Sequence, residues 1–246
     1  RYERNRSPLT VKNYGDDLRA FYVFFKSLDD HLSWQSVDAD IVRDWMESMM
    51  DKGNNATSVN RRLSALRSFY RFALSRHLVD RDPAHNIEGP KTNKPLPQFL
   101  KESEMNRLLD DMEWGNSFNN VRARTIIIVF YETGIRLSEL IGLDDVSIDM
   151  ETCEIKVTGK GDKQRVVPFG SEMLSALKDY VAVRDSSVIR NCEAFFVTDK
   201  GTRMRPDTVR AEVSRCLSAV STLKKTSPHV LRHTFATTML NHGADI

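Results

Sequence analysis

The chain has 246 residues, is 40% hydrophobic and carries 36 Lys and Arg against 34 Asp and Glu; this composition supports a buried core in one large or two ordinary domains and argues against disorder. A net charge of +2 is only weakly basic, so a nucleic-acid partner must be argued from where the charge lies. The three cysteines lack C-x-x-C spacing, and no signal-like or bilayer-length apolar segment is evident, which argues against a disulfide framework or structural zinc and favours a soluble cytoplasmic protein without membrane contact.

The first ninety or so residues show the spacing of short amphipathic helices. Apolar residues recur at steps of three and four after Pro8, which suits the first position of a helix. A second helix follows the cap-like Asp38 or Asp40, and a third covers about 57–79. The pattern predicts an all-α domain over residues 1–88.

The third helix is basic and contains no acidic residue. Its charged residues are Arg61, Arg62, Arg67, Arg71 and Arg76. Such a helix can lie along a phosphate backbone, and in that case the first four of these arginines bind DNA. Charge runs more often mark a solvated face, here with arginines paired to the acids at 16–17 or 29–30. This segment alone leaves both interpretations open.

Residues 89–98, GPKTNKPLPQ, contain three prolines and no periodicity, which predicts an interdomain linker. Helical patterns follow, and then CEIKVT and QRVVPF form β-like runs joined by GKGDK, which indicates a hairpin. Helical spacing returns at about 172–184, 206–220 and 228–242. Residues 99–246 are therefore predicted to form a mixed α/β, mainly helical domain with a small antiparallel sheet.

An arginine in TGIRLSELIGL stands at the mouth of a predicted helix. Gly134 suits the left-handed position that ends one helix, and the apolar spacing after Arg136 begins another. Anions are favoured at helix N-termini. Glu139 lies three residues on, where it could orient the guanidinium. From this motif alone, the alternative to anion binding is that Arg136 has a purely structural role.

A lysine stands at the tip of the predicted hairpin, between Gly159 and Gly161. A Walker-type nucleotide loop needs Gly-Lys-Ser/Thr at the start of a helix. Here Asp162 and a second strand follow Lys160, so nucleotide binding is not expected. Either the lysine is exposed at the tip and contributes only to solubility, or its ammonium group contacts a bound anion.

Two histidines lie four residues apart in HVLRH, with Arg232 between His229 and His233. Such a pair can hold zinc, but a zinc helix of the HExxH kind carries a glutamate where this one has leucine and arginine. A guanidinium beside a dication is unfavourable, and only the distant Asp245 could add a carboxylate ligand. We therefore expect no metal, with a structural histidine as the milder alternative.

The start of this helix favours a phosphate instead. Ser227 suits an N-cap and Pro228 the first helical position, so His229 and Arg232 fall in the opening turn, where free N–H groups favour an anion. Two arginines, a histidine and a lysine in one cleft suit in-line attack on a phosphodiester, because guanidiniums neutralise the non-bridging oxygens while histidine and lysine move protons. Their charges can replace the metal ions of many nucleases, so no cofactor is expected.

Five motifs carry a resemblance over essentially the whole chain. They are SVNRRLSALRSFYRFAL and DPAHNIEGPK in the first domain, and TGIRLSELIGL, VTGKGDKQRVVPFG and HVLRHTFAT in the second. In order and spacing they resemble the tyrosine recombinases of the integrase family, especially the bacterial Xer type that resolves chromosome dimers. The resemblance implies a SAM-like core-binding domain and a catalytic domain that close around duplex DNA as a C-shaped clamp.

The resemblance also implies roles for individual residues. Arg136 and Arg232 match the two catalytic arginines of the family. Lys160 matches the general acid toward the leaving 5′ oxygen, and His229 matches the histidine that assists as base or acid. Supporting roles fall to Glu139, which matches the family's acidic residue, and to His233, which is expected to pack or support rather than catalyse.

The family's nucleophile is a tyrosine beyond the His-x-x-Arg box, and no tyrosine follows Arg232 here. No nucleophile is therefore assigned in this sequence, which is expected to be a fragment that polarises the phosphate without forming the phosphotyrosyl bond. The intact protein is expected to recombine specific double-stranded DNA sites through a 3′-phosphotyrosyl intermediate. The expected assembly is a homo- or hetero-tetramer, with a septal DNA translocase as a candidate activator.

Two functions of other classes stay open from the sequence. A DNA-binding module without chemistry would occupy recombination sites and leave them uncut. A metal-dependent nuclease or other hydrolase would use His229 and His233 and would lose activity on chelation. The residues do not reveal the DNA sequence bound, nor whether the protein serves chromosome segregation at cell division or a mobile element.

Overall fold

The computed structural model describes residues 8–93, 96–159 and 161–243. The chain divides into two compact units, Arg1–Pro95 and Leu96–Ile246. The division falls inside the stretch 89–98 that the sequence predicts as a linker.

The beginning of that stretch packs on the first unit. Asn60 Nδ2 donates a hydrogen bond to the carbonyl of Pro90 at 2.8 Å. A Cβ atom on Gly89 would lie only 1.7 Å from Asn60 Oδ1, so this close approach requires glycine. Gly89 and Pro90 are therefore held by the first unit, so the beginning of the predicted linker packs on that unit.

The described helices of the first unit are α1 (Pro8–Leu28), α2 (Ala39–Asp51) and α3 (Ala56–Ser75). Asp38 caps α2, since its Oδ1 accepts from the backbone N–H groups of Asp40 and Ile41 at 3.0 Å each. Asn55 caps α3 by accepting from Ser58 N at 2.8 Å. The predicted all-α character of this domain is confirmed.

The third helix ends before the predicted end near residue 79. His77 adopts the left-handed region with φ of 55°, and the N–H groups of His77 and Leu78 bond back to the carbonyls of Leu74 and Ala73 at 3.1 and 2.9 Å. This is the Schellman arrangement, which most often uses glycine. Because a histidine takes the glycine position, the sequence carries no obvious stop signal there.

Aromatic side chains form much of the core of the first unit. The rings of Phe21 and Trp45 lie 4.8 Å apart, and those of Trp34 and Phe69 lie 4.4 Å apart. Tyr70 donates its hydroxyl to the carbonyl of Trp34 at 3.1 Å. The inner face of α3 is therefore held by packing; Arg61 and Arg71 are exposed, whereas Arg62 and Arg67 are half-buried at its edges.

The second unit contains most of the chain. Its described elements are α4 (Glu102–Asn106) with a π-helical turn (Arg107–Asp111), α5 (Phe118–Thr133), α6 (Leu137–Ile141), a 3₁₀ turn (Asp145–Ser147), β1 (Ile148–Asp149), β2 (Glu154–Thr158), β3 (Gln164–Pro168), α7 (Ser171–Ser187), α8 (Pro206–Val220) and α9 (Pro228–Asn241). Helix α5 packs against α7, α8 and α9. Its side chains are buried on nearly every face, so it forms the centre of this unit.

A three-stranded antiparallel sheet in the order β1-β2-β3 lies beside these helices. The predicted hairpin is confirmed, whereas β1, only two residues long, was not expected. Burial alternates along β2: Ile155 and Val157 are buried, and the other residues of the strand are exposed. Arg165 pairs with Val157 across the strands, and directly opposed residues point to the same face. The hairpin therefore places Arg165 where its guanidinium binds the carboxylate of Glu139, although 40% of the Arg165 side chain stays exposed.

Candidate active site

Arg136 occupies the N-cap position of α6, as the sequence predicts. Gly134 ends α5 in the left-handed conformation, with φ of 57°, and its N–H bonds to Phe130 O at 3.0 Å. Arg136 then donates twice to Glu139: its backbone N–H to Oε2 at 2.7 Å and its Nη1 to Oε1 at 2.9 Å. The Arg136 side chain is 52% exposed, so about half of it is open to solvent.

Glu139 lies at the centre of the site and is almost completely buried, with 1% of its side chain exposed. Besides Arg136, it binds Arg165 through two parallel bonds, Nη1 to Oε1 and Nη2 to Oε2, each 2.9 Å long. Such a fork is the strongest pairing between a guanidinium and a carboxylate. The sequence analysis did not single out Arg165. The signal that could have found it is its place in the hairpin, where Arg165 lies directly across from the apolar Val157 of the neighbouring strand.

The ionisation of Glu139 follows from these partners. Burial raises the pKa of its carboxyl group, but hydrogen bonds from Arg165, from the backbone of Arg136 and from the Arg136 side chain outweigh burial and bring it to about 2. The same hydrogen bond raises the pKa of the Arg165 guanidinium. Glu139 is therefore an anion at any physiological pH and serves as a fixed counter-charge.

Arg232, on α9, lies beside the turn that carries Arg136. Its Nη1 donates to the carbonyl of Gly134, in the turn that positions Arg136. Burial lowers the pKa of Arg232, and the positive charge of Arg136 lowers it further. Two guanidiniums, those of Arg136 and Arg165, thus bind the carboxylate of Glu139, and the guanidinium of Arg232 lies near enough to interact with it electrostatically. Positive charge is in excess, which favours an added anion.

The turn and α9 are in tight contact through Gly134. A Cβ atom at this position would lie 2.3 Å from Cδ1 of Phe235, one helical turn after Arg232. The left-handed backbone and the ring together leave room for glycine alone. This contact fixes the spacing between the helices that carry Arg136 and Arg232.

The first turn of α9 agrees only in part with the prediction. Ser227 occupies the N-cap position and Pro228 the first helical position, but the Ser227 side chain accepts no hydrogen bond from the described helix. His229 is exposed in the opening turn. The structure therefore supports the position predicted for His229 but not side-chain capping by Ser227.

His233 was expected to pack or to support the site; the described residues do not bury it, and its supporting role stays a prediction. Its side chain is exposed, because it lies on the outer face of α9. The neighbouring Thr234 is buried instead: its hydroxyl donates to Val230 O at 2.9 Å and accepts from Leu100 N at 2.9 Å. Thr234 therefore takes the packing position, and it was not singled out from the sequence.

Lys160 lies outside the described residues, so its role stays a prediction. Its hairpin is closed by a bond from Gly159 N to Lys163 O at 2.8 Å. A Cβ atom on Gly159 would lie 3.2 Å from Oε1 of Glu139. The base of the hairpin therefore lies against the carboxylate that binds Arg136.

Three of the four arginines predicted to bind DNA have partners inside the first unit. Arg61 pairs with Asp17 through both guanidinium nitrogens, and Arg62 Nε lies 3.7 Å from the same carboxylate. Arg67 Nε donates to Ala84 O at 3.0 Å, and its Nη2 donates to Ile87 O. These contacts favour the alternative interpretation, in which the arginines stabilise the domain.

Arg71 differs from the other three. It is exposed, and the described residues give its side chain no hydrogen bond or ion pair. Of the four arginines, it is the one whose charge the domain leaves available to a partner.

Within residues 8–93, 96–159 and 161–243, no group of three or more His, Cys, Asp or Glu side chains is arranged to hold a metal ion. Among these same residues, no helix combines the length and apolar character needed to cross a membrane.

Comparison with known proteins shows the family of the chain. Residues 98–246 match the model of the phage integrase family, and residues 1–77 match the phage integrase N-terminal SAM-like domain. Tyrosine recombinase XerC of Chlorobaculum tepidum is 36% identical, with 99% of this chain and 80% of that protein covered.

Two solved structures are also similar to this chain. The XerA recombinase crystal structure is 27% identical with a TM-score of 0.54, over 98% of this chain and 80% of that one. The XerH site-specific recombinase bound to a palindromic difH substrate has a TM-score of 0.79 at 22% identity, over 98% and 72% of the two chains. The latter identity supports the fold alone. Since family models cover both units, the chain belongs to the phage integrase family of tyrosine recombinases.

Proposed function

We infer that the chain is a site-specific DNA recombinase whose second unit binds the scissile phosphate between Arg136 and Arg232. The observation that carries this proposal is that Arg136, at the N-cap of α6, and Arg232, on α9, meet at the turn of Gly134 beside the buried Glu139. Their charges exceed that of the carboxylate, and Arg136 is more than half exposed. A bound phosphate would relieve the mutual repulsion of the guanidiniums.

The proposed chemistry is in-line displacement at phosphorus. Negative charge builds on the non-bridging oxygens in the transition state, and guanidinium forks stabilise that charge because they are already oriented before the reaction begins. The anionic Glu139 holds Arg136 in place without neutralising the whole site. Arg136 and Arg232 are therefore proposed to stabilise the negative charge of the transition state.

Proton transfers are assigned to two further residues as proposals. His229 lies exposed in the first turn of α9, two positions after the N-cap, where it is free to contact a bound group. Lys160, at the tip of the hairpin whose base lies against Glu139, is proposed to protonate the leaving 5′ oxygen. Both roles rest on the family resemblance and on these positions in the chain.

The nucleophile is proposed to be a tyrosine that does not belong to these 246 residues. Tyr180 is buried and donates to Phe195 O at 3.1 Å, and burial raises its pKa to about 12. Burial also raises the pKa values of Tyr70 and Tyr131. Such hydroxyls are difficult to ionise, which makes them poor candidates for attack on phosphorus.

We further propose that the recombinase acts in the cytoplasm as a tetramer on paired DNA sites, composed of this chain alone or with a related recombinase. A septal DNA translocase is the proposed activator, which would fit a role in chromosome segregation. Mass photometry of the intact protein on DNA, with and without a related recombinase, tests the assembly. Complexes that never exceed two subunits on paired sites would contradict it.

The catalytic assignment is tested by suicide-substrate cleavage with the intact protein that contains this chain. Arg136→Ala and Arg232→Ala should each lower the cleavage rate by a factor of about 100 or more, because each removes a donor to the developing charge. Arg19→Ala, which removes an exposed guanidinium paired with Asp16 at 3.2 Å, is the matched control and should cleave normally. Unchanged cleavage in either active-site variant would contradict the assignment. A wild-type protein that binds the site without cutting it would indicate a DNA-binding module instead.

A further inference from the structure

Glu139 has no remaining capacity to accept hydrogen bonds. A carboxylate offers about four acceptor positions on its two oxygens. Arg165 occupies one on each oxygen, the Arg136 backbone N–H occupies one on Oε2, and Arg136 Nη1 occupies one on Oε1. Arg165 thus takes half of the bonds to this buried group.

The saturation of Glu139 limits what Arg136 can do. A guanidinium has five N–H donors, and the described residues engage one side-chain nitrogen of Arg136, Nη1. In the absence of Arg165, the oxygen now bound by Arg165 Nη2 would be open to a second nitrogen of Arg136. The two side chains would then form a fork, which is the preferred geometry for this pair. An Arg136 held in that fork would turn its donors toward Glu139 and away from solvent.

We propose that Arg165 is a positioning residue that keeps Arg136 available to the scissile phosphate by occupying the oxygens of Glu139. This inference rests on the proposed function, in which Arg136 binds that phosphate. Arg165 acts through Glu139 and needs no contact with DNA for this role.

The hairpin makes this arrangement possible. Cross-strand pairing of Arg165 with the buried Val157 places Arg165 on the face of the sheet where its guanidinium binds Glu139, with 40% of the side chain still exposed. Gly159, at the start of the hairpin tip, lies against Oε1 of the same carboxylate. Arg165 therefore links the hairpin to α6, so the position of the hairpin and the orientation of Arg136 depend on one buried anion.

The direct test is a pair of crystal structures, of the wild-type chain and of Arg165→Met, which keeps the length of the side chain but has no donor. The inference predicts that Arg136 in the variant donates two side-chain bonds to Glu139 in place of one. An Arg136 that keeps its single bond and outward orientation would overturn it. This result is decisive whether or not the intact protein cleaves DNA.

Cleavage by the intact protein separates positioning from a merely structural ion pair. Arg165→Met should lower the cleavage rate about tenfold while DNA affinity changes by less than about twofold. Arg190→Met is the matched control, because it breaks an ion pair with Asp145 of 2.6 Å in the same unit without touching Glu139. It should cleave at the wild-type rate.

A double variant tests whether Arg165 acts through Glu139. In a Glu139→Gln background, adding Arg165→Met should cause no further loss of cleavage rate. The reason is that Arg165 acts by occupying the carboxylate of Glu139, and that carboxylate is already absent in the background. Additive losses would overturn the inference. A wild-type protein that fails to cleave any DNA would contradict the proposed function, and the crystal structures would still decide the role of Arg165.

Discussion

Glu139 determines the electrostatic character of the site, because one buried anion organises the guanidiniums around it. The spacing of Arg136 and Glu139 made their contact predictable, since an acidic side chain three residues into a helix can accept from the backbone N–H of the N-cap residue, and here it also accepts from the Arg136 side chain. Arg165 was not predictable in the same way. Its contact with Glu139 spans 26 residues and depends on the register of the hairpin.

The low pKa of Glu139 predicts a specific acid sensitivity. The pKa falls from an ordinary value of 4.5 to about 2, so its stabilising contribution is complete above pH 4.5 and is lost as the pH falls through 2. Urea unfolding should therefore show that wild type loses its advantage over Glu139→Gln across this range, by on the order of 3 kcal/mol.

Glu132 provides a control of opposite sign for that experiment. Burial raises the pKa of its carboxyl group, so its charged form is disfavoured in the folded chain. Relative to Glu132→Gln, wild type should gain stability as the pH falls, because protonation favours the folded state. If the stability difference from wild type changed with pH in the same direction for Glu139→Gln and Glu132→Gln, the environments assigned to the two carboxyl groups would be contradicted.

Gly134 is the residue at which α5, α6 and α9 meet. Gly134→Ala should destabilise the chain by about 2–4 kcal/mol, since it combines a left-handed backbone with overlap against the Phe235 ring. Gly115→Ala is the matched control: it has φ of 66° but only an ordinary 3.5 Å contact with Asn120, and it should cost about 1 kcal/mol. Thermal unfolding measures both. Equal losses would show that the Phe235 contact is unimportant.

At the scale of elements, the sequence predicted the helices and the hairpin but not the role of the charges on α3. Apolar spacing is local, so it locates α1 to α3 to within a few residues. The partners of Arg61 and Arg67 are distant in sequence: Asp17 is 44 residues away and Ile87 is 20. A run of arginines therefore cannot reveal on its own whether it meets a phosphate or the domain's own acceptors.

This division of roles along α3 can be measured. Arg67→Ala should lower the stability of the first unit by about 1–3 kcal/mol, because the buried carbonyls of Ala84 and Ile87 lose their donor. Arg71→Ala should leave stability within about 0.5 kcal/mol of wild type. If Arg71 contacts one phosphate, this variant should also flatten the slope of log K against log salt for DNA binding by about 0.9.

Fluorescence anisotropy over a salt series, combined with urea unfolding, distinguishes the two variants. An Arg71→Ala protein with an unchanged salt slope would remove α3 from the DNA interface. An Arg67→Ala protein of wild-type stability would contradict the proposed role of Arg67 in holding residues 84–87.

For the whole molecule, composition and the proline-rich stretch were enough to predict two domains, and family models match both parts. What the pattern did not show is that the beginning of this stretch, Gly89 and Pro90, packs on Asn60 of the first unit. A composition change marks where regular structure ends and does not show which side chains hold the connecting backbone. The motif in α9 has the same limit, because it does not show which of two neighbouring residues is buried. In the structure Thr234 is buried and His233 is exposed.

The central claim is that Arg136 and Arg232 act by neutralising charge on the scissile phosphate. The most direct test is cleavage by the intact protein of a suicide substrate whose scissile phosphate is replaced by a neutral methylphosphonate. Arg136→Ala should lose a factor of about 100 or more on the phosphate but less than about tenfold on the methylphosphonate, since the neutral group needs no counter-charge. An equal loss on both substrates would contradict the account.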